Sequence, residues 1–140
     1  MRAVLDVNIL ASASTFPDRV PGTVLTLGLT GYFEMIISDP ILERLEVVLT
    51  RPYFAGRLPE ADRIRFLKAL SAIPARVEPD AKVRGIAPDL EDDLVLGTAV
   101  AASAEFLVTG DKGLLAIGDY RGVRIVTAGE FLDVLAREVR

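Results

Sequence analysis

The chain has no cysteine, no histidine and no tryptophan, and only 6 Phe and 3 Tyr. Without cysteine there are no disulfides and no thiolate metal site. Without histidine, imidazole ligands, imidazole general bases and serine-triad schemes are excluded, so a metal would have to be held by oxygen. No apolar run approaches the length of a membrane span, and the opening Met1-Arg2-Ala3-Val4-Leu5-Asp6 carries a carboxylate where a signal peptide continues apolar. The expectation is therefore a cytoplasmic protein with no membrane association.

What is present is apolar and acidic. Hydrophobic residues fill 51% of 140 positions, enough for one sizeable core in a chain too short for two ordinary domains. A single domain over residues 1–140 is expected. The 16 Lys and Arg against 20 Asp and Glu give a net charge of −4, which argues against a basic groove across the whole surface. A phosphate polymer would have to meet a local patch or a metal.

Apolar runs at 2–5, 33–37, 105–108 and 122–126 predict buried strands, the first ending at Asp6, the second at Ser38-Asp39-Pro40 and the third at Thr109-Gly110-Asp111, and Ala75-Arg76-Val77 is a poorer fifth. Helical periodicity falls between them, over 20–30, 40–50, 59–73, 92–103 and 128–139. Asp39 is the expected cap of the second of these helices, with Pro40 at its first position, and Thr127 caps the last. Strands alternating with helices imply a mainly parallel sheet covered on both faces, an α/β/α sandwich. The aperiodic stretch 79–91 reads as a loop approaching the site, because it leads into Asp92-Asp93.

Asp6 closes the first strand and Asp111 follows the strand at 105–108. Both carboxylates are expected beyond the carboxyl ends of buried strands, where open α/β sheets bind ligands. Asp92 and Asp93 begin the helix that runs into the Asp111 strand, which brings them to the same rim. Like charges gathered there repel, and Mg²⁺ or Mn²⁺, which take oxygen ligands and keep several waters, would relieve the repulsion. Taken singly, Asp92 and Asp93 also fit helix caps, and Asp111 fits a turn or the cap of a following short helix. Asp6, ending an almost wholly apolar strand, is the hardest to explain structurally, and Asn8 is placed to orient it. A receiver-like or phosphotransferase domain also sets acids at strand ends. Against it, Asp6-Val7-Asn8 lacks the second aspartate of a haloacid-dehalogenase-type motif, and no mid-chain strand ends in a phosphoacceptor aspartate.

Four segments carry a family resemblance: Val4-Leu5-Asp6-Val7-Asn8-Ile9-Leu10, Ile37-Ser38-Asp39-Pro40-Ile41-Leu42 leading to Val48-Leu49-Thr50-Arg51-Pro52-Tyr53-Phe54, Asp89-Leu90-Glu91-Asp92-Asp93, and Phe106-Leu107-Val108-Thr109-Gly110-Asp111-Lys112-Gly113-Leu114-Leu115. Together they resemble the PIN-domain family, in particular its VapC-like branch, described as the toxin components of toxin–antitoxin pairs. The resemblance implies a three-layer α/β/α sandwich and a divalent-metal-dependent endoribonuclease in which Asp6, Asp92 and Asp111 are the catalytic, metal-binding acids. It further implies support from Asn8 and Thr109, Asp93 as a candidate further ligand, RNA as substrate, an antitoxin protein as partner, and a homodimer.

Two positions depart from the family pattern. Arg44 stands where the family usually has a glutamate, and its neighbour Glu43 is turned away by roughly 100° on an ideal helix, which makes it a weaker candidate ligand. Leu90 stands where a proline is usual. Arg44 leaves open a catalytically weakened module that acts by binding RNA or protein. Arg44, Arg51 and Lys112 are candidate phosphate contacts.

Overall fold

A computed structural model describes residues 1–138. The chain runs β1 (Arg2–Leu5), α1 (Val7–Thr15), α2 (Val20–Leu29), β2 (Glu34–Ile36), α3 (Asp39–Leu49), α4 (Pro52–Ala55), α5 (Glu60–Ser71), α6 (Leu90–Ala101), β3 (Phe106–Val108), α7 (Lys112–Ile117), β4 (Asp119–Tyr120), β5 (Val123–Val126) and α8 (Ala128–Glu138). The strands form one sheet in the order β2-β1-β3-β5-β4. All neighbours are parallel except the short β4, which pairs antiparallel with β5. Helices flank this sheet in the predicted three-layer α/β/α sandwich. Val4, Leu5, Leu107 and Val108 are almost wholly buried, each worth roughly 1.5–3 kcal/mol of apolar burial. Phe131 of α8 closes the core edge-to-face on Phe33, with ring centroids 5.0 Å apart.

The strand order fixes where a site can form. β1 lies between β2 and β3, so the chain leaves β1 toward one side of the sheet and later returns to its other side, and a crevice opens at the carboxyl ends where the order reverses. Parallel register sets Leu5 level with Val108, and Val108 level with Val126. The next residues, Asp6 and Thr109, therefore emerge side by side, with the Asp6 N–H donating to the Val108 carbonyl (2.9 Å) and the Thr109 N–H to that of Val126 (2.9 Å).

Several local expectations need correction. Residues 7–15 carry no predicted helix, yet α1 begins directly after Asp6, whose side chain caps it; the carboxylate read from the sequence as a candidate ligand also starts a helix. Ser38, not Asp39, is the N-cap of α3, and it makes no side-chain capping bond because its hydroxyl is buried against Thr98, which donates to it at 2.8 Å. Ala75–Val77 pairs only as a single bridge through Ile37. The helix of Asp92-Asp93 starts earlier, at Leu90, with Asp89 as its cap. Thr127 does cap α8, exchanging bonds with Glu130 at 3.0 and 3.1 Å, a capping box. The predicted final residue of that helix, Val139, lies outside the described residues.

Candidate active site

At the crevice, Asp6, Asn8, Asp92 and Asp111 line one cleft of about 280 Å³, together with Arg44, Arg51 and Phe54. Each acid arrives by a different local device. Asp6 is the last extended residue before α1, and its Oδ1 accepts the Val7 N–H at 2.7 Å. Asp111 caps α7, accepting the Leu114 N–H at 2.9 Å, and Asp92 sits in the first turn of α6. Thr109 ties two of these turns together: its hydroxyl donates to Asp6 Oδ2 at 2.6 Å and accepts from the Asp111 N–H at 3.0 Å. Asn8 Oδ1 accepts the Gly110 N–H at 3.3 Å, a longer tie between the same two turns.

The acids disturb one another. Burial pushes the Asp6 carboxyl above its ordinary value, the bonds from Thr109 and Val7 pull it back, Asp111 raises it again and Arg44 lowers it slightly. Asp92 is pushed up to about 6, first by desolvation and then by the charges of Asp111, Asp6 and Asp89, with Arg44 opposing. Neighbouring like charges in this partly desolvated cleft thus raise the protonation of Asp6 and Asp92, and a bound cation would reverse this.

Asp93 lies elsewhere. It accepts the N–H groups of Gly85, Ile86 and Ala87 at 2.8, 3.2 and 2.8 Å, so it clamps the loop before α6 and does not line the cleft. That loop is also bound to α6 through the Asp80 N–H and the Gly97 carbonyl (3.0 Å). A Cβ at Gly97 would approach that same loop backbone to 3.1 Å. Glu43 is exposed and lines the neighbouring depressions instead of the cleft. Arg44 enters the cleft and pairs with Glu91 of α6. This partner was not legible in the sequence, where nothing signals that α3 and α6 pack together. Arg51 lines the cleft, while Lys112 is exposed at the start of α7 and does not line it.

The donors are all oxygen: three carboxylates and the Asn8 carbonyl. Their chemistry fits a hard divalent ion such as Mg²⁺ or Mn²⁺. No group of three or more His, Cys, Asp or Glu among the described residues is already drawn into a metal cage. The acids share a cleft and feel one another's charge, but they do not close around a point.

The comparisons with known proteins agree with this architecture. The PIN domain family matches residues 2–113, most of the chain. This chain belongs to the PIN domain family. PIN domains are generally nucleases and typically bind divalent metals, which supports a nuclease role for this one. The chain is 26% identical over 120 residues to the uncharacterized protein MJ1680 of Methanocaldococcus jannaschii, covering 85% of this chain and 76% of that one. The PIN domain superposes on the crystal structure of PAE2754 from Pyrobaculum aerophilum with a TM-score of 0.67 at 20% identity, covering 98% of this chain and 90% of the other. VapBC2 from Rickettsia felis, bound to a DNA fragment from their promoter, matches with a TM-score of 0.60 at 18% identity over 89% and 97% of the two chains. At these identities the two likenesses establish the fold. No described helix is long and apolar enough to cross a membrane.

Proposed function

We propose that this single-domain PIN protein is a divalent-metal-dependent endoribonuclease and the toxin component of a toxin–antitoxin pair. The observation that carries the reading is the meeting of Asp6, Asp92 and Asp111, from distant parts of the chain, in one cleft at the switch point of the sheet. Asp6, Asp92 and Asp111 would hold Mg²⁺ or Mn²⁺, with Asn8 beside them. The ion, when bound, supplies a water of lowered pKa and stabilises charge gathering on the scissile phosphate. Thr109 and Asn8 position the acids, through the bonds that link the Asp6 and Asp111 turns. Asp93 holds the approach loop and is not a ligand in this reading. An antitoxin partner is supported by the likeness to VapBC2, and a homodimer follows from the same family reading.

The test is calorimetric titration of Mn²⁺ into purified protein, alongside cleavage of single-stranded RNA. Replacing Asp6 by Asn is expected to cut cleavage more than about a hundredfold, with binding weakened in parallel. Folded wild-type protein that takes up no divalent ion and cuts no RNA overturns the proposal.

One observation favours a second reading, a weakened module acting by binding. Arg44 already brings positive charge to Asp6 and Asp92 while pairing with Glu91. If that charge displaces metal, Arg44→Ala will tighten Mn²⁺ binding by about tenfold or more and raise cleavage, since a neighbouring cation penalises a second one. Unchanged affinity leaves the active nuclease as the better reading.

A further inference from the structure

Beside the acid cleft lies a cluster that the proposed chemistry does not use. The segment 51–59, Arg-Pro-Tyr-Phe-Ala-Gly-Arg-Leu-Pro, carries two arginines and two aromatics and no acid, in a chain of net charge −4. Pro52 starts the single turn α4. Phe54 and Arg51 reach into the cleft wall, while Tyr53 remains 52% exposed. The Tyr53 ring packs edge-on against Phe54 with centroids 5.0 Å apart, and tilted toward Phe16 at 6.4 Å. Arg57 lies 4.1 Å from the Tyr53 ring centroid, and Arg19 lies 3.9 Å from that of Phe16. Arg57 is held in place by a 2.7 Å bond to the Tyr53 carbonyl.

An aromatic face left exposed to water is disfavoured. Here Tyr53 is exposed and Phe16 half-buried, each with an arginine over its ring. Arg19, Arg51 and Arg57 join no ion pair among the described residues, so their charges are uncompensated; Asp18, next to Arg19 in sequence, pairs with none of them. Rings that stack bases, cations that meet phosphates, and direct continuity with the acid cleft are together what single-stranded nucleic acid requires. A second copy of this chain fits poorly, because a two-fold contact would set arginines against arginines. A duplex fits poorly too, since its bases are already stacked.

We propose that Phe16 and Tyr53, with Arg19, Arg51 and Arg57, form a stacking platform that takes an unpaired nucleotide of RNA flanking the phosphate in the acid cleft. The platform rests on the ribonuclease reading for its ligand and adds to it a place for one unpaired base beside the scissile phosphate. Tyr53 and Arg57 do not touch the reacting atoms; they place the strand.

The experiment is fluorescence anisotropy with a labelled single-stranded RNA oligonucleotide and its duplex, on the full chain with chelator present so that nothing is cut. Wild type is expected to prefer the single strand. Tyr53→Leu should weaken that binding about tenfold, and Tyr53→Phe, which keeps the ring, should bind as wild type does. Arg57→Gln should weaken binding less and lower the salt dependence by about one phosphate contact. Circular-dichroism melting confirms that each variant is folded; should Tyr53→Leu unfold, Arg57→Gln and Tyr53→Phe carry the test. Equal affinity for single strand and duplex overturns the platform, as does unchanged binding by Tyr53→Leu. So does a wild-type dimer in sedimentation that Tyr53→Leu dissociates while RNA affinity stays the same. Single-strand binding that depends on Tyr53, with no cleavage in Mn²⁺, upholds the platform and overturns the nuclease reading instead.

Discussion

Asp6 and Asp93 are equally buried, each 4% exposed, yet the two regions they occupy treat a carboxylate in opposite ways. Around Asp93, three backbone N–H groups of one loop converge on the two oxygens, which replaces the hydration lost on burial. Around Asp6, two hydrogen bonds only partly offset burial, and the charge of Asp111 works against it. Asp92 shows the same contrast within one turn of α6: it is the sequence neighbour of Asp93, but it faces the cleft and is pushed up to about 6. Burial alone does not mark a ligand. What separates the cleft acids from the clamp is that other acids lie beside them, with fewer donors to each carboxylate.

The largest effect that would sharpen this comparison is on stability. Asp93→Ala leaves three loop N–H groups without their acceptor and should cost about 3 kcal/mol, read as a lower midpoint in urea. Under conditions where that variant is still folded, Mn²⁺ affinity should match wild type. A large loss of metal affinity in the folded variant would break the distinction and return Asp93 to the ligand set.

A smaller effect of opposite sign is expected at its neighbour. Because the folded-state pKa of Asp92 is raised from the usual 3.8 to about 6, the metal-free fold loses stability as pH climbs through that interval and stays penalised above it. Asp92→Asn removes the penalty. The expected gain is on the order of 1 kcal/mol at pH 7, after discounting for solvent screening and for the lost interaction with the helix dipole. It should vanish below about pH 4, and thermal melting across pH without metal reads it. A variant less stable than wild type at pH 7 would mean that the cleft already stabilises the charged carboxylate.

The fold was largely legible because apolar runs and helical periodicity are properties of burial, and burial in a parallel sheet leaves little freedom. The runs at 2–5, 105–108 and 122–126 became β1, β3 and β5 almost to the residue. The helix α1 was not legible, since its cap is the same Asp6 that reads as a ligand and one residue's chemistry served two purposes. Ser38 was overlooked as a cap because its hydroxyl is engaged by Thr98, 60 residues away. At the site, Asp6, Asp92, Asp93 and Asp111 were picked out from their places at element ends, with Asp92 set above Asp93 only by the family resemblance, and the fold brings Asp6, Asp92 and Asp111 to one cleft. Nothing local told Asp92 from Asp93: both are first-turn acids, and only the path of the loop 85–87 decides which one is enclosed by donors.

By itself the sequence determined an oxygen-only donor set, the order of the main strands and of the longer helices after α1, and the element ends at which the acids fall, because composition and periodicity act through local backbone preference and burial. The tertiary structure alone decided that β1 and β3 are neighbours, that Arg44 meets Glu91, and that Phe16 comes beside Tyr53. The strand pairing, the Arg44–Glu91 pair and the approach of Phe16 to Tyr53 join residues far apart along the chain, and only packing around a shared core brings them within reach of one another.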